Sequence, residues 1–248
     1  MIQNIKRTAL FILSLVFMNC GNAEKDAEEN NNVVTAAPVK TVLTADQQRD
    51  LTPDAVVTLL KEGNQRFMDN DLTSRDHSAQ VRKSALGQYP KAIILSCIDS
   101  RVPVEDVFDM GIGDLFVARV AGNFENTDIL GSMEFACAAS GSRLVVVLGH
   151  ESCGAVVNAI RDTRMGNITA MLANIKPAID SVIDFTGDRV AENPAFVHEV
   201  CVSNIQNTIS DIRSKSPILK KLEDSIPNRL KIVGAVYNIE TGKVEFME

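Results

Sequence analysis

Arg143-Leu144-Val145-Val146-Val147-Leu148, running directly into Gly149-His150-Glu151-Ser152-Cys153-Gly154, is the stretch whose reading decides the fold. Five consecutive apolar residues, three of them β-branched, form a short strand covered on both faces; a strand facing water on one side would alternate. Residues 91–96, just after Pro90, read the same way, and residues 115–120 are a further strand candidate. Residues 231–237 form another, and Glu240-Thr241-Gly242-Lys243 then reads as a hairpin turn into residues 244–247.

Helical patterns fit between these runs. Thr52-Pro53-Asp54 is a helix start, with a capping hydroxyl, a proline suited to the first turn and an acid at the positive end of the dipole. Val56, Leu59, Leu60 and Phe67 carry that helix to about residue 68. A weaker helix covers about residues 78–86. Others are expected near residues 128–139, 155–161, 168–184 and 191–213, with Pro177 able to kink or divide the third. The expectation is an α/β fold: a largely parallel central β-sheet flanked by helices, with an N-terminal helical arm and a C-terminal β-hairpin.

Composition narrows the function. The chain has 248 residues, 45% of them hydrophobic, enough for a substantial core. A net charge of −7 and the absence of Trp argue against a nucleic-acid partner. The cysteines, Cys20, Cys97, Cys137, Cys153 and Cys201, are odd in number and contain no C-x-x-C pair, so neither a disulfide framework nor a thioredoxin-type site is expected.

The N-terminus reads as an address. Lys6 and Arg7 precede an apolar run that ends at Phe17-Met18-Asn19-Cys20. That is a charged segment followed by a core of signal-peptide length, too short for an ordinary membrane span. Residues 1–19 are read as a lipoprotein-like signal peptide, with Cys20 as the lipidated residue and the protein exported, periplasmic or membrane-anchored. The alternative is a plain secretory signal with Cys20 incidental. Residues 20–50 read as a flexible linker, poor in large apolar groups; the alternative is that residues 39–43 pack on the domain. Residues 51–248 form the folded domain.

In open parallel sheets, ligands collect beyond the carboxyl ends of the strands. Two strands end there in unusual residues: Cys97-Ile98-Asp99-Ser100-Arg101, and His150 with Cys153 three positions later. Cys97, His150 and Cys153 together offer two thiolates and an imidazole, a donor set that suits Zn2+, and three protein ligands leave a fourth position open. Arg101 can clamp and orient the Asp99 carboxylate beside that position. The alternative is three small or buried residues at strand ends with no metal, since buried Cys is often only packing.

These motifs resemble those of the β-class carbonic anhydrases. Cys97-Ile98-Asp99-Ser100-Arg101 is similar to the family's C-x-D-S-R motif, and His150-Glu151-Ser152-Cys153-Gly154 to its H-x-x-C-G motif. The likeness runs in order through residues 51–248, including Gly113-Asp114-Leu115-Phe116-Val117-Ala118-Arg119 and Ile232-Val233-Gly234-Ala235-Val236-Tyr237. The resemblance implies that Cys97, His150 and Cys153 bind zinc, that Asp99 and Arg101 form the catalytic dyad, and that zinc-bound hydroxide hydrates CO2 reversibly to bicarbonate. It further implies that Gln88 binds substrate and that Phe116 lines the CO2 pocket. Both could come from the neighbouring subunit of a homodimer or higher even oligomer. Val120 departs from the Asn that many members have there. Two alternatives stand beside this reading: a COS or CS2 hydrolase on the same scaffold, and a non-catalytic zinc-binding surface lipoprotein. His77 is a candidate proton relay or merely a solvated residue. His198 is expected on a helix face, with Cys137 and Cys201 as packing residues.

Overall fold

The computed structural model describes residues 37–224 and 229–247. The signal-peptide reading, Cys20 and the first part of the linker lie outside them. Among the described residues, five strands form one sheet: β1 (Ala92–Ser96), β2 (Leu115–Arg119), β3 (Leu144–His150), β4 (Lys231–Tyr237) and β5 (Val244–Phe246). Their order is β2-β1-β3-β4-β5, with the first four parallel and β5 antiparallel to β4. The expected α/β architecture and hairpin are both present.

The helices in chain order are α1 (Ala45–Asp50), α2 (Pro53–Met68), α3 (His77–Ser84), α4 (Val104–Val107), α5 (Thr127–Glu134), α6 (Gly154–Ile160), α7 (Gly166–Leu172), α8 (Lys176–Ser181), α9 (Pro194–Lys215) and α10 (Pro217–Asp224). They cover both faces of the sheet, which is why β1 and β3 are buried at every residue. Alternate side chains divide between two cores. Ile94, Val146 and Leu148 pack with Val56 and Leu60 of α2 and with Phe108. Ile93, Leu95, Val145 and Val147 pack with Met133, Cys201 and Ile205. The close approach of α2 depends on Gly63, where a Cβ would stand 1.9 Å from the Phe108 carbonyl oxygen.

Three expectations need correction. The segment 168–184 is not one helix but two, α7 and α8, the divided form that Pro177 allowed; Pro177 lies in the first turn of α8, where its missing N–H leaves no bond unmade. The helix expected over 128–139 changes register after α5 into a π-helical turn, Phe135–Ala139, closed by Ser140 N–H donating to the Phe135 carbonyl at 2.9 Å. The third concerns residues 20–50, whose distal part is folded. Val39 bridges to Arg75, as the alternative reading had it, and α1 begins with a reciprocal cap between Thr44 and Gln47. Gln48 is buried, and its amide donates to the carbonyls of Pro90 and Ser140. That anchor is polar, so a search for apolar periodicity passes over it.

The chain order places the site. From β1 it moves outward to β2, then crosses back to lay β3 on the other side of β1. The direction of winding therefore changes between β1 and β3, and a crevice opens beyond their carboxyl ends.

Candidate metal centre

Ser96 pairs with Leu148 in the β1–β3 register, so the chain leaves β1 at Cys97 beside the last residues of β3. His150 ends β3, and Cys153 is the N-cap residue just before α6. Between them, Ser152 adopts a left-handed φ of 52°, a conformation unusual for a residue with a side chain and frequent at functional turns. Gly149 has no room for a side chain: a Cβ would lie 2.7 Å from Ile205 Cδ1 and 2.9 Å from Cys201 Sγ. α9 can therefore pack against β3 directly behind His150.

The donor atoms of Cys97, His150 and Cys153 all lie within 4.8 Å of one another, and all three residues are buried. The two sulfurs are 4.0 Å apart. Tetrahedral zinc with bonds of about 2.3 Å to sulfur would hold two thiolates about 3.8 Å apart, close to this spacing. His150 Nδ1 lies 2.8 Å from the Glu151 carbonyl. A carbonyl only accepts, so Nδ1 carries a proton, and in the neutral imidazole Nε2 is the nitrogen with a lone pair to give. Nε2 is buried with no hydrogen-bond partner. A buried nitrogen lone pair facing two sulfurs fits a metal ion.

Electrostatics agree. Cys97 is pushed below the ordinary thiol range, chiefly because the Cys153 thiol hydrogen-bonds to it, against the cost of burial. That contact and burial push Cys153 up. Burial also works against a charged His150, yet the negative Cys97 sulfur outweighs it and raises the imidazole. These shifts belong to donors crowded together and sharing protons. A dication would relieve the crowding by ionising both thiols and taking the lone pair.

Asp99 and Arg101 sit at the mouth. Arg101 donates from Nε to Asp99 Oδ1 at 2.9 Å and from Nη2 to Oδ2 at 2.7 Å. The Arg101 guanidinium is the largest cause holding the Asp99 carboxyl well below the usual range. Asp99 Oδ2 is 3.8 Å from His150 Nε2. The fork of Arg101 thus orients the carboxylate while leaving it near the cluster.

Two supports had no assigned role in the sequence reading. Arg119, the last residue of β2, donates to the carbonyls of Cys97, Asp99 and Val102 at 2.7–3.0 Å, pinning the loop that carries Cys97 and Asp99. His198, expected only on a helix face, places Nδ1 2.6 Å from Glu151 Oε1, and Glu151 also supplies the carbonyl that fixes His150. The signal for Arg119 was its position at a strand end beside β1. Nothing in the sequence pointed to the His198–Glu151 pair, 47 residues apart.

Gln88 and Phe116 stand elsewhere in the protomer. Gln88 precedes β1, so it lies toward the end of the sheet opposite Cys97, exposed in a cleft shared with Arg143. Phe116, near the start of β2, lines a groove on that edge strand and meets Phe135 edge-on, with ring centroids 6.2 Å apart. His77 opens α3 behind its cap Asp76. Cys137 and Cys201 are buried packing residues, each pushed up to about 12 chiefly by burial.

A family sequence model described as carbonic anhydrase matches residues 92–244. A carbonic anhydrase of Mycobacterium tuberculosis is 34% identical over 200 residues, covering 77% of this chain and 91% of its own length. One from Mycolicibacterium smegmatis is 30% identical over 199 residues, covering 78% and 92%. Among solved structures, a β-carbonic anhydrase of Sordaria macrospora, one of two described as tetrameric, superposes with a TM-score of 0.57 at 25% identity, covering 67% of this chain and 85% of that one.

Proposed function

The chain belongs to the carbonic anhydrase family, in its β class, and from that premise we propose that Cys97, His150 and Cys153 hold a zinc ion beside which CO2 and bicarbonate interconvert. The observation that carries the reading is the buried, unpartnered Nε2 of His150 facing two sulfurs. Zinc bound there would supply a Lewis acid that brings the pKa of water toward neutrality, the chemistry for which carbonic anhydrase is the standard example.

The chain's own residues do the rest. Glu151 holds the imidazole with its lone pair presented, and Arg119 fixes the loop on which Cys97 and Asp99 sit. Asp99, kept ionised by Arg101, accepts the hydrogen of the attacking water or hydroxide and so aims its lone pair. Because its pKa is depressed, Asp99 serves as a fixed acceptor rather than a group that titrates near neutrality. Arg101 therefore works through Asp99. An Arg101→Gln variant is expected to keep its zinc and lose about 10–100-fold in kcat.

Gln88 and Phe116 reach substrate only if a second copy brings them there, so the active unit is a homodimer or higher even oligomer. The relative described as tetrameric supports this. The protein is exported and anchored through Cys20. Fatty-acid labelling that survives Cys20→Ala would overturn the anchor.

Stopped-flow CO2 hydration tests the central reading. Activity should track zinc, vanish with a strong chelator, return on adding zinc, and be absent in Cys153→Ala. A rate equal to that of buffer from the zinc-loaded wild type would overturn it.

A further inference from the structure

Arg143 stands immediately before β3, at the end opposite His150. Its backbone is tied on both sides: its N–H donates to the Lys91 carbonyl at 2.9 Å, and its carbonyl accepts from Lys231 N–H at 3.2 Å. The side chain is half-buried, and Nη2 donates to the Arg49 carbonyl of α1 at 2.8 Å. Nε is buried and has no partner.

Among the described residues, no carboxylate forms an ion pair with Arg143 or with Arg229, the charged neighbour that acts on it. Burial first and the like charge of Arg229 second push the Arg143 guanidinium below its ordinary range. Both residues line a cleft of about 590 Å³ with Gln48, Arg49, Gln88 and Tyr89, and no acidic side chain forms part of its wall. Arg49 is paired with Asp46, and the Gln48 amide nitrogen is occupied by two carbonyls. Arg143 and Arg229 therefore bring two uncompensated charges to one concavity.

A guanidinium taken from water without an anion is costly, and a like-charged neighbour adds to the cost. Proteins tolerate that arrangement where an anion completes it. Arg is suited to the role because its planar fork matches an oxyanion. We propose that this cleft binds a small inorganic oxyanion, with Arg143 and Arg229 as the charged ligands. Neither Arg143 nor Arg229 belongs to the metal centre at the other end of the sheet, so either reading can fail alone.

The test is calorimetric titration of phosphate into the zinc-loaded full chain at low ionic strength, with Arg229→Gln and Arg143→Gln as variants. Arg229→Gln guards against the case in which Arg143, hydrogen-bonded to the Arg49 carbonyl, cannot be replaced without unfolding. The expected result is saturable binding of one phosphate per chain, weakened by about tenfold or more in each folded variant, as loss of a charge-assisted bond requires. In phosphate-free buffer Arg229→Gln should retain wild-type zinc content and CO2 hydration. Bicarbonate is then added as a competitor. Displacement of phosphate names the reaction's own product as an occupant, and failure to displace it marks a site selective for phosphate; both uphold the cleft. Absence of saturable binding in the wild type, or phosphate affinity unchanged in Arg229→Gln, would overturn it.

Discussion

The two ends of β3 each carry a buried nitrogen without a partner, and the two have opposite chemistry. At the carboxyl end, His150 Nε2 offers a lone pair beside two sulfurs. At the amino end, Arg143 Nε offers a proton beside a second guanidinium. A cation would complete the first and an anion the second. The lesson is that an unsatisfied buried group is informative through its sign: what is missing must be an acceptor of electrons in one case and a donor in the other.

Removing the first orphan should have the largest effect. His150→Ala should lower zinc from one per chain to none by metal analysis and reduce CO2 hydration to the rate of buffer, because two thiolates alone leave the set of donors incomplete. A variant that keeps its zinc would break the comparison at its stronger end.

Asp109 supplies the reference case for the weaker end. Its side chain is fully buried, and it pairs with Arg66 at 2.6 Å, with Arg75, and with the Thr73 hydroxyl at 2.6 Å. Here the chain provides its own buried anion for two partly exposed guanidinium groups. Burial works against the charge, but the two arginines and Thr73 prevail and the carboxyl lies below its ordinary pKa. Asp109→Asn should cost about 3–5 kcal/mol in urea denaturation at pH 7, since it leaves arginine unpaired. A depressed carboxyl stabilises fully above its unfolded pKa of about 3.9, and the contribution fades as pH falls through the folded value. The gap between wild type and variant should therefore narrow below about pH 4. An equal gap at pH 3 and pH 7 would contradict the charge account.

The carboxyl end was legible in the sequence because its residues are chemically scarce and closely spaced. His150 and Cys153 are three apart, Asp99 and Arg101 two, and each group directly follows an apolar run that announces a buried strand. The amino end was not legible. Gln88, Arg143 and Arg229 are scattered, and only the parallel order β1-β3-β4 sets the starts of those strands side by side. α1 escaped for a related reason: Gln48 is held by carbonyls at Pro90 and Ser140, an attachment that leaves no hydrophobic period to read. Pro177 carried its information openly, but whether a proline kinks a helix or begins a new one depends on packing around Ile175, which is fully buried.

A smaller change probes how firmly the carboxyl end is built. Gly149→Ala would push a methyl against Ile205 and Cys201 on α9, both buried and with little room to yield. Overpacking of this kind costs about 1–3 kcal/mol. Because the displaced residue precedes His150, zinc should also exchange faster with a chelator. A stability loss without faster exchange would mean that α9 moves while the metal ligands stay in place.

The smallest expected effect is at the other orphan. Arg143→Gln in anion-free buffer removes a half-buried charge that has a like-charged neighbour and forms no ion pair among the described residues, so little favourable electrostatic energy is lost. Its bond to the Arg49 carbonyl is worth about 1 kcal/mol, and relief of repulsion from Arg229 offsets part of that. The net change should stay within about 1 kcal/mol, well short of the cost at Asp109. Added phosphate should then separate the proteins, raising the Tm of the wild type and leaving that of Arg143→Gln nearly unmoved, because binding stabilises only the folded state that has the site. A loss of several kcal/mol without anion would mean that Arg143, like Arg75, already has its partner within the fold, and the contrast between the two ends of β3 would collapse.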